Sequence, residues 1–280
     1  MTGEDVRRSI IQFAVYLLRR ASLTGPLSIA IIEVRGGSSS IGRAPDCGSG
    51  RCGFNSRLPP QMLLPADQPS SCSIITPMDR KQHWEKIHAT KPGETVSWYR
   101  PHLERSLSII EQVAPDRSAS IIDVGAGQSS LAGDLFERGY RNLTVLDVSS
   151  AAIAKARELL GKTAAKIRWI DSDIMNAALE RNSYEVWHDR AVFHFLIEKR
   201  DCDAYVRKML CCLKSGGHAV ISTFALDGPS QCSGLNVARY DAKLLDEMLG
   251  PELKRVESFY DLHRTPSGAP QNFLCAVYQV

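Results

Sequence analysis

The sequence has no CxxC pair among its eight cysteines, no internal repeat and no apolar run long enough to cross a bilayer. Without ligand spacing, Cys202, Cys211, Cys212, Cys232 and Cys275 read as reduced thiols of a cytoplasmic protein with no metal site. The apolar stretch from Ser9 to Leu18, flanked by Arg7, Arg8, Arg19 and Arg20, is shorter than the roughly 20 residues a membrane helix needs. No membrane partner is expected, although those arginines give the stretch the look of a presequence. Charge of one sign is lacking as well. The net charge of +3 comes from the first 77 residues, where eight Arg and no Lys face five acidic residues; 26 basic and 26 acidic residues remain from Met78 onward. A neutral body offers no electrostatic footprint for nucleic acid, so none is expected as a partner.

What is present divides at Met78. With 44% hydrophobic and 23% charged residues the chain suits one globular domain plus an appendage. Residues 35–60 are rich in Gly, Ser, Arg, Pro and Cys, with no period of a helix or a strand. Their string GGSSSIGRAPDCGSGRCGFNSRLPP resembles the conceptual translation of a transfer-RNA gene. Cys52 to Arg57 admit codons that close a T-arm stem and loop, and Ser39 to Ala44 admit codons for a D-arm. The expectation is therefore that residues 1–77 are a non-native extension upstream of a true start at Met78, against a genuine disordered or targeting segment. Residues 78–280 then form the functional domain.

From Met78 helical segments alternate with short β-branched runs, the pattern of an α/β, Rossmann-like, doubly wound and mostly parallel sheet. Ser120 to Val124, Leu143 to Leu146, Ile167 to Ile170, Glu185 to Trp187 and His218 to Thr223 read as parallel strands, each buried on both faces. Helices are expected over Pro101 to Val113, Ser129 to Arg138, Ser150 to Leu160 and Ala204 to Leu213, the last stopped by Gly216 and Gly217. Lys254 to Leu262 and Asn272 to Gln279 flank a Pro- and Gly-containing turn and read as a terminal antiparallel hairpin, which brings the sheet to seven strands.

The residues that carry chemistry stand at strand ends. Ile121-Ile122-Asp123-Val124-Gly125-Ala126-Gly127-Gln128-Ser129 is a strand entering a glycine turn and then a helix, where glycine lets backbone approach a ligand closely. Asp147 ends the next strand, where a carboxylate accepts ribose hydroxyl protons, followed by Val148. Asp173 and Ile174 end the third and suit a purine base, the carboxylate taking an amino proton and the backbone amide meeting a ring nitrogen. One such acid is commonly a helix cap. Three at the carboxyl ends of successive strands point to one crevice, and Asp123 suits a cationic ligand.

With these motifs, residues 78–280 resemble the class I S-adenosylmethionine-dependent methyltransferases. Asp123-x-Gly125-x-Gly127 is similar to their first motif, and Asp147 and Asp173-Ile174 stand at their ribose and adenine positions. Trp84 and Trp98-Tyr99 resemble the aromatic opening of the subgroup containing the elongation-factor lysine methyltransferases, which closes over the cofactor. Asp189-Arg190-Ala191 resembles that family's Asp-[Arg/Lys]-Gly segment, with Ala191 departing from glycine. The Asn-Pro-Pro-Tyr motif of amide and adenine-amine methyltransferases is absent.

The resemblance implies S-adenosyl-L-methionine as cofactor, held by Trp84, Tyr99, Asp123, Gly125, Ala126, Gly127, Asp147, Val148, Asp173 and Ile174. It implies Tyr99, Asp189 and His194 around the methyl site, with His188 a further acid–base candidate. The segment from Ala225 to Tyr240, including Cys232, stands where acceptor loops sit and reads as an ordered lid. The methyl acceptor is a protein lysine or a small molecule, and a monomer or weak dimer is expected. Two rivals remain: an NAD-dependent oxidoreductase, which would want a third glycine where Ser129 and Ser130 stand, and a cofactor-binding module without turnover.

Overall fold

A computed structural model describes residues 77–280, with side chains from Arg80 onward. The expectations for the first 77 residues lie outside this range, save for Pro77, which opens helix α1. Six α-helices are described: α1 (Pro77–Thr90), α2 (Glu104–Val113), α3 (Leu131–Glu137), α4 (Ser150–Leu160), α5 (Lys199–Cys212) and α6 (Ala242–Leu249). The strands are β1 (Ser120–Val124), β2 (Asn142–Asp147), β3 (Arg168–Asp171), β4 (Tyr184–Arg190), β5 (Leu213–Phe224), β6 (Gln231–Cys232), β7 (Leu235–Asn236), β8 (Lys254–Arg264) and β9 (Pro270–Gln279).

Seven strands form one sheet in the order β3-β2-β1-β4-β5-β9-β8. The first five run parallel, and β9 lies antiparallel between β5 and β8. Alternation along the strands divides the core into two layers. Ile121, Val145, Val186 and Val220 meet Leu107 and Ile110 of α2 and Leu131 and Leu135 of α3. Ile122, Leu146, Trp187 and Ile221 meet Tyr205 and Met209 of α5 and Leu245 of α6. The sheet is therefore covered on both sides, as parallel strands require.

Two expectations are corrected. β3 is not buried on both faces: it is the sheet's edge, with Arg168 and Asp171 exposed, because no strand follows it outward. Gly216 and Gly217 do not stop a helix either. α5 ends at Cys212, whose successor Leu213 is extended, and β5 begins there at once. The glycines sit inside β5 where its pairing jumps from Tyr184↔Leu213 to Val186↔His218. A Cβ on Gly217 would stand 2.8 Å from the Lys214 carbonyl oxygen, so the bulge admits only glycine there. α1 and α6 were not anticipated as helices. The terminal hairpin is present, and its register runs from Lys254↔Gln279 to Arg264↔Pro270.

Candidate cofactor and acceptor cleft

The cleft opens at the carboxyl ends of β1 to β4, the place where a doubly wound sheet gathers loop residues from several strands. At the end of β1 the chain turns through Gly125 at φ +62° and Gly127 at φ +59°. A Cβ on Gly125 would lie 2.1 Å from a methyl carbon of Val192, so both conformation and space call for glycine. The turn is pinned by Gly125 N–H donating to the Leu146 carbonyl at 2.7 Å and by Gly127 N–H donating to Asp147 Oδ2 at 2.7 Å.

Asp147 accepts a second backbone hydrogen bond from Ser149 N–H, at Oδ1, 2.8 Å. Burial outweighs these bonds and pushes its carboxyl up to about 6, aided by the charges of Asp123 and Asp171. Asp123 is 5% exposed. Its Oδ1 meets His188 Nδ1 at 2.7 Å, and His188 Nε2 meets Ser106 Oγ at 2.9 Å. This Ser–His–Asp chain is not a nucleophilic triad, because all three residues are buried and the aspartate rather than the serine faces the cleft. With both ring nitrogens engaged, His188 fixes the Asp123 carboxylate and leaves Oδ2 buried without a partner. A lone buried carboxylate oxygen at a cleft wall is a binding position for a cationic donor group. Asp173 holds the following turn through Oδ1 and Met175 N–H at 2.9 Å, and Oδ2 lies 3.6 Å from the Arg80 guanidinium.

Helix α1 and the segment after it form the other wall. Glu85 ties α1 to the start of α4, accepting from Ser149 Oγ at 2.8 Å and from Ala151 N–H at 3.2 Å. That anchor sets Trp84 edge-on to Trp98 and Phe195, with ring centroids 5.8 and 5.1 Å away. His88, one turn after Trp84, meets Gln128 Nε2 at 3.1 Å, and burial together with Lys155 lowers it to about 4.

Trp84, Tyr99, Asp123, Gly125, Ala126, Gly127, Asp147, Val148, Asp173 and Ile174 all line this one cleft, as does His188. Asp189 and His194 do not. The Asp189 carboxylate points into the core, accepts from Tyr205 Oη, from Val192 N–H at 2.9 Å and from Phe193 N–H at 3.1 Å, and is pushed by burial up to about 6. His194 lies edge-on to Phe195 and tilted against Phe224, accepts from Phe224 N–H at Nδ1, and is pushed by burial and by Arg190 down to about 3. Both shape the turn below the cleft without reaching it. The lid segment holds a short β6–β7 hairpin and brings Cys232 to the cleft wall. Arg80, His88, Gln128 and Arg100 escaped sequence reasoning, although the helical spacing from Trp84 to His88 was available. Among the described residues no group of three His, Cys, Asp or Glu is gathered to hold a metal.

Residues 121–217 match the family model described as a methyltransferase domain. The chain is 24% identical over 145 residues to an eEF1A lysine and N-terminal methyltransferase homolog of Drosophila melanogaster, covering 49% of this chain and 21% of that protein. It is 21% identical over 182 residues to EEF1A lysine methyltransferase 2 of Mus musculus, covering 58% of this chain and 74% of that one. The chain thus spans about a fifth of the length of the first of these relatives and about three quarters of the second. Among solved structures, a Burkholderia thailandensis 1,6-didemethyltoxoflavin-N1-methyltransferase with bound S-adenosylhomocysteine superposes with a TM-score of 0.59 at 18% identity, covering 77% of this chain and 93% of that one. The N-methyltransferase NodS of Bradyrhizobium japonicum, in complex with S-adenosyl-L-homocysteine, gives 0.52 at 19% identity, covering 71% and 97%. At these identities the two share a fold with this chain. Residues 121–217 thus match a methyltransferase domain, and the chain shares the α/β fold of the S-adenosylmethionine-dependent methyltransferases.

Proposed function

We propose that this chain is a methyltransferase that moves the methyl group of S-adenosylmethionine to an N, O or S nucleophile of a protein lysine or a small molecule. The observation that carries the reading is the alignment of Asp123, Asp147 and Asp173 at the ends of three neighbouring parallel strands, all lining one cleft. The orphaned Asp123 Oδ2 fits this cofactor, since an α-ammonium group is the donor that such an oxygen lacks. Asp147 would hold the ribose hydroxyls, Asp173 and Ile174 the adenine, and the Gly125–Gly127 turn the amino-acid portion. NAD has no ammonium group to donate to Asp123, since its nicotinamide ring nitrogen carries its charge without an N–H, and it would place a pyrophosphate beside buried acids, so the oxidoreductase alternative is disfavoured.

S-adenosylmethionine supplies an already activated methyl group, so the protein's task is alignment and exclusion of water. Trp84, Trp98 and Phe195 form an apolar wall that removes solvent, and Tyr99 adds a hydroxyl-bearing ring at the same mouth. No acid or base is required for an acceptor that arrives with a free lone pair. The relatives' names support a protein lysine as acceptor, and the small-molecule enzymes of the same fold support a metabolite. We place the protein in the cytoplasm, a reading supported by the five described cysteines, all free; among the described residues no helix is long and apolar enough to cross a membrane.

Calorimetric titration of the full chain with S-adenosylmethionine and, separately, NAD tests the reading. Micromolar binding of the first that Asp147→Asn weakens at least tenfold is expected; binding of NAD alone, or of neither, would overturn it.

A further inference from the structure

The strand order lays the cleft out in sequence: base at β3, ribose at β2, ammonium at β1. The next strand is β4, and its last residue, Arg190, lines the same cleft on the side away from the nucleoside positions. Its guanidinium is poorly served. Nη1 donates to the Trp98 carbonyl at 3.1 Å, the group lies 5.1 Å from the centre of the Phe273 ring, and Nη2 is buried with no partner. A second guanidinium nearby, that of Arg100, is satisfied: it donates to Asp261 Oδ2 and to His263 Nδ1, both at 3.0 Å. The remaining charge on the β4 side, Asp189, is spent on Tyr205 and the backbone below the cleft. Burial and the repulsion of Arg100 lower Arg190 to about 10, against the smaller attraction of Asp261 and Asp123.

Resting on the methyl-transfer reading above, we propose that Arg190 orients the methyl acceptor by binding its carboxylate through Nη2, and that the acceptor is a small carboxylate-bearing molecule. A lysine ammonium brought to this end of the cleft would meet a bare guanidinium and find no free anion beyond Asp123, which the cofactor claims. A phosphate needs several donors to offset its desolvation, and a single free guanidinium nitrogen among Trp98, Phe195, Ala191 and Phe273 suits one carboxylate. The cofactor's own carboxylate is the competing occupant.

The full chain, saturated with S-adenosylhomocysteine, is titrated by calorimetry with acetate and benzoate, with acetamide and benzamide as their neutral counterparts, and with benzylamine as an ammonium. A carboxylate that binds at least tenfold tighter than its amide, with no binding of benzylamine, is expected. Arg190→Met should lose that carboxylate at least tenfold while keeping S-adenosylhomocysteine within about threefold, and Arg190→Lys should recover part of the loss. Equal binding of amide and carboxylate, or preferred binding of benzylamine, overturns the proposal, and the wild-type ranking decides this even if Arg190→Met fails to fold. A tenfold loss of S-adenosylhomocysteine in Arg190→Met would hand the arginine to the cofactor instead. Failure of the wild-type chain to bind S-adenosylhomocysteine at all is a separate outcome that overturns the methyl-transfer reading itself.

Discussion

Asp147 couples the cleft to pH through its burial. Its carboxyl titrates at about 6, because burial outweighs two backbone hydrogen bonds. On the proposed reading a ribose hydroxyl would donate to the ionised form, so cofactor binding and deprotonation would favour each other. The sign follows: affinity is flat above about pH 7 and falls roughly tenfold per pH unit below about 6. His88, lowered to about 4, charges only below that window, so it does not mask the effect. Titrations of S-adenosylhomocysteine between pH 5 and 8 should show this slope, and Asp147→Asn should remove it; a slope that survives the substitution would assign it to another group. Ala191 is a second residue with a consequence. It adopts φ +71° where the resemblance leads one to expect glycine, held there by the Asp189 carboxylate and by its own N–H donating to the Ser222 carbonyl at 2.8 Å. A left-handed alanine costs about 1–2 kcal/mol, and glycine returns part of that as unfolded-state entropy. Ala191→Gly is expected to stabilise by up to ~1 kcal/mol, about 2–4 °C in Tm for a domain of this size. A lower Tm in thermal unfolding would contradict the strain assigned here.

At the scale of elements, legibility tracked what kind of force fixes each one. β1, β2 and α4 were readable within one residue at either end because their periodicity is set by burial. α1 was not, because Pro77 to Thr90 has no apolar stripe; it docks through Glu85 on Ser149 and Ala151, Lys81 on Asp171, and Lys155 on the His88 carbonyl. Those are contacts between segments more than sixty residues apart, which no local pattern announces. The same holds for the glycines of β5: the sequence shows a Gly pair, but only pairing with β4 turns it into a bulge. That Asp123, Asp147 and Asp173 share one cleft was legible because acids at the ends of successive parallel strands face the same crevice. Asp189 and His194 were misplaced because a neighbouring position on a strand or turn points the opposite way. If Glu85 is what holds α1 shut, Glu85→Ala should weaken S-adenosylhomocysteine about tenfold and move Trp84 into solvent. A red-shifted tryptophan emission with reduced affinity is the expected pair of results; unchanged affinity would mean that α1 does not close the cofactor wall.

Over the whole domain the cleft gathers parts that lie far apart in the sequence. One ligand would touch α1, the β1 turn, the ends of β2 and β3, and the mouth of β4, contacts spread across four adjacent strands and the helix that covers them. A ligand bound only by the folded arrangement stabilises it by mass action, about 2.7 kcal/mol at a hundredfold excess over Kd. For a domain of roughly 200 residues that corresponds to about 5–10 °C in Tm. Thermal unfolding of the full chain with S-adenosylhomocysteine at that excess should therefore shift upward by this amount in one cooperative step. Asp147→Asn should lose most of the shift at the same ligand concentration, and NAD should give none. A shift with NAD equal to that with S-adenosylhomocysteine would show that the three strand-end carboxylates do not select a sulfonium amino acid over a pyrophosphate. A shift split into two transitions would show that α1 and the sheet respond separately, which the Glu85 anchor forbids.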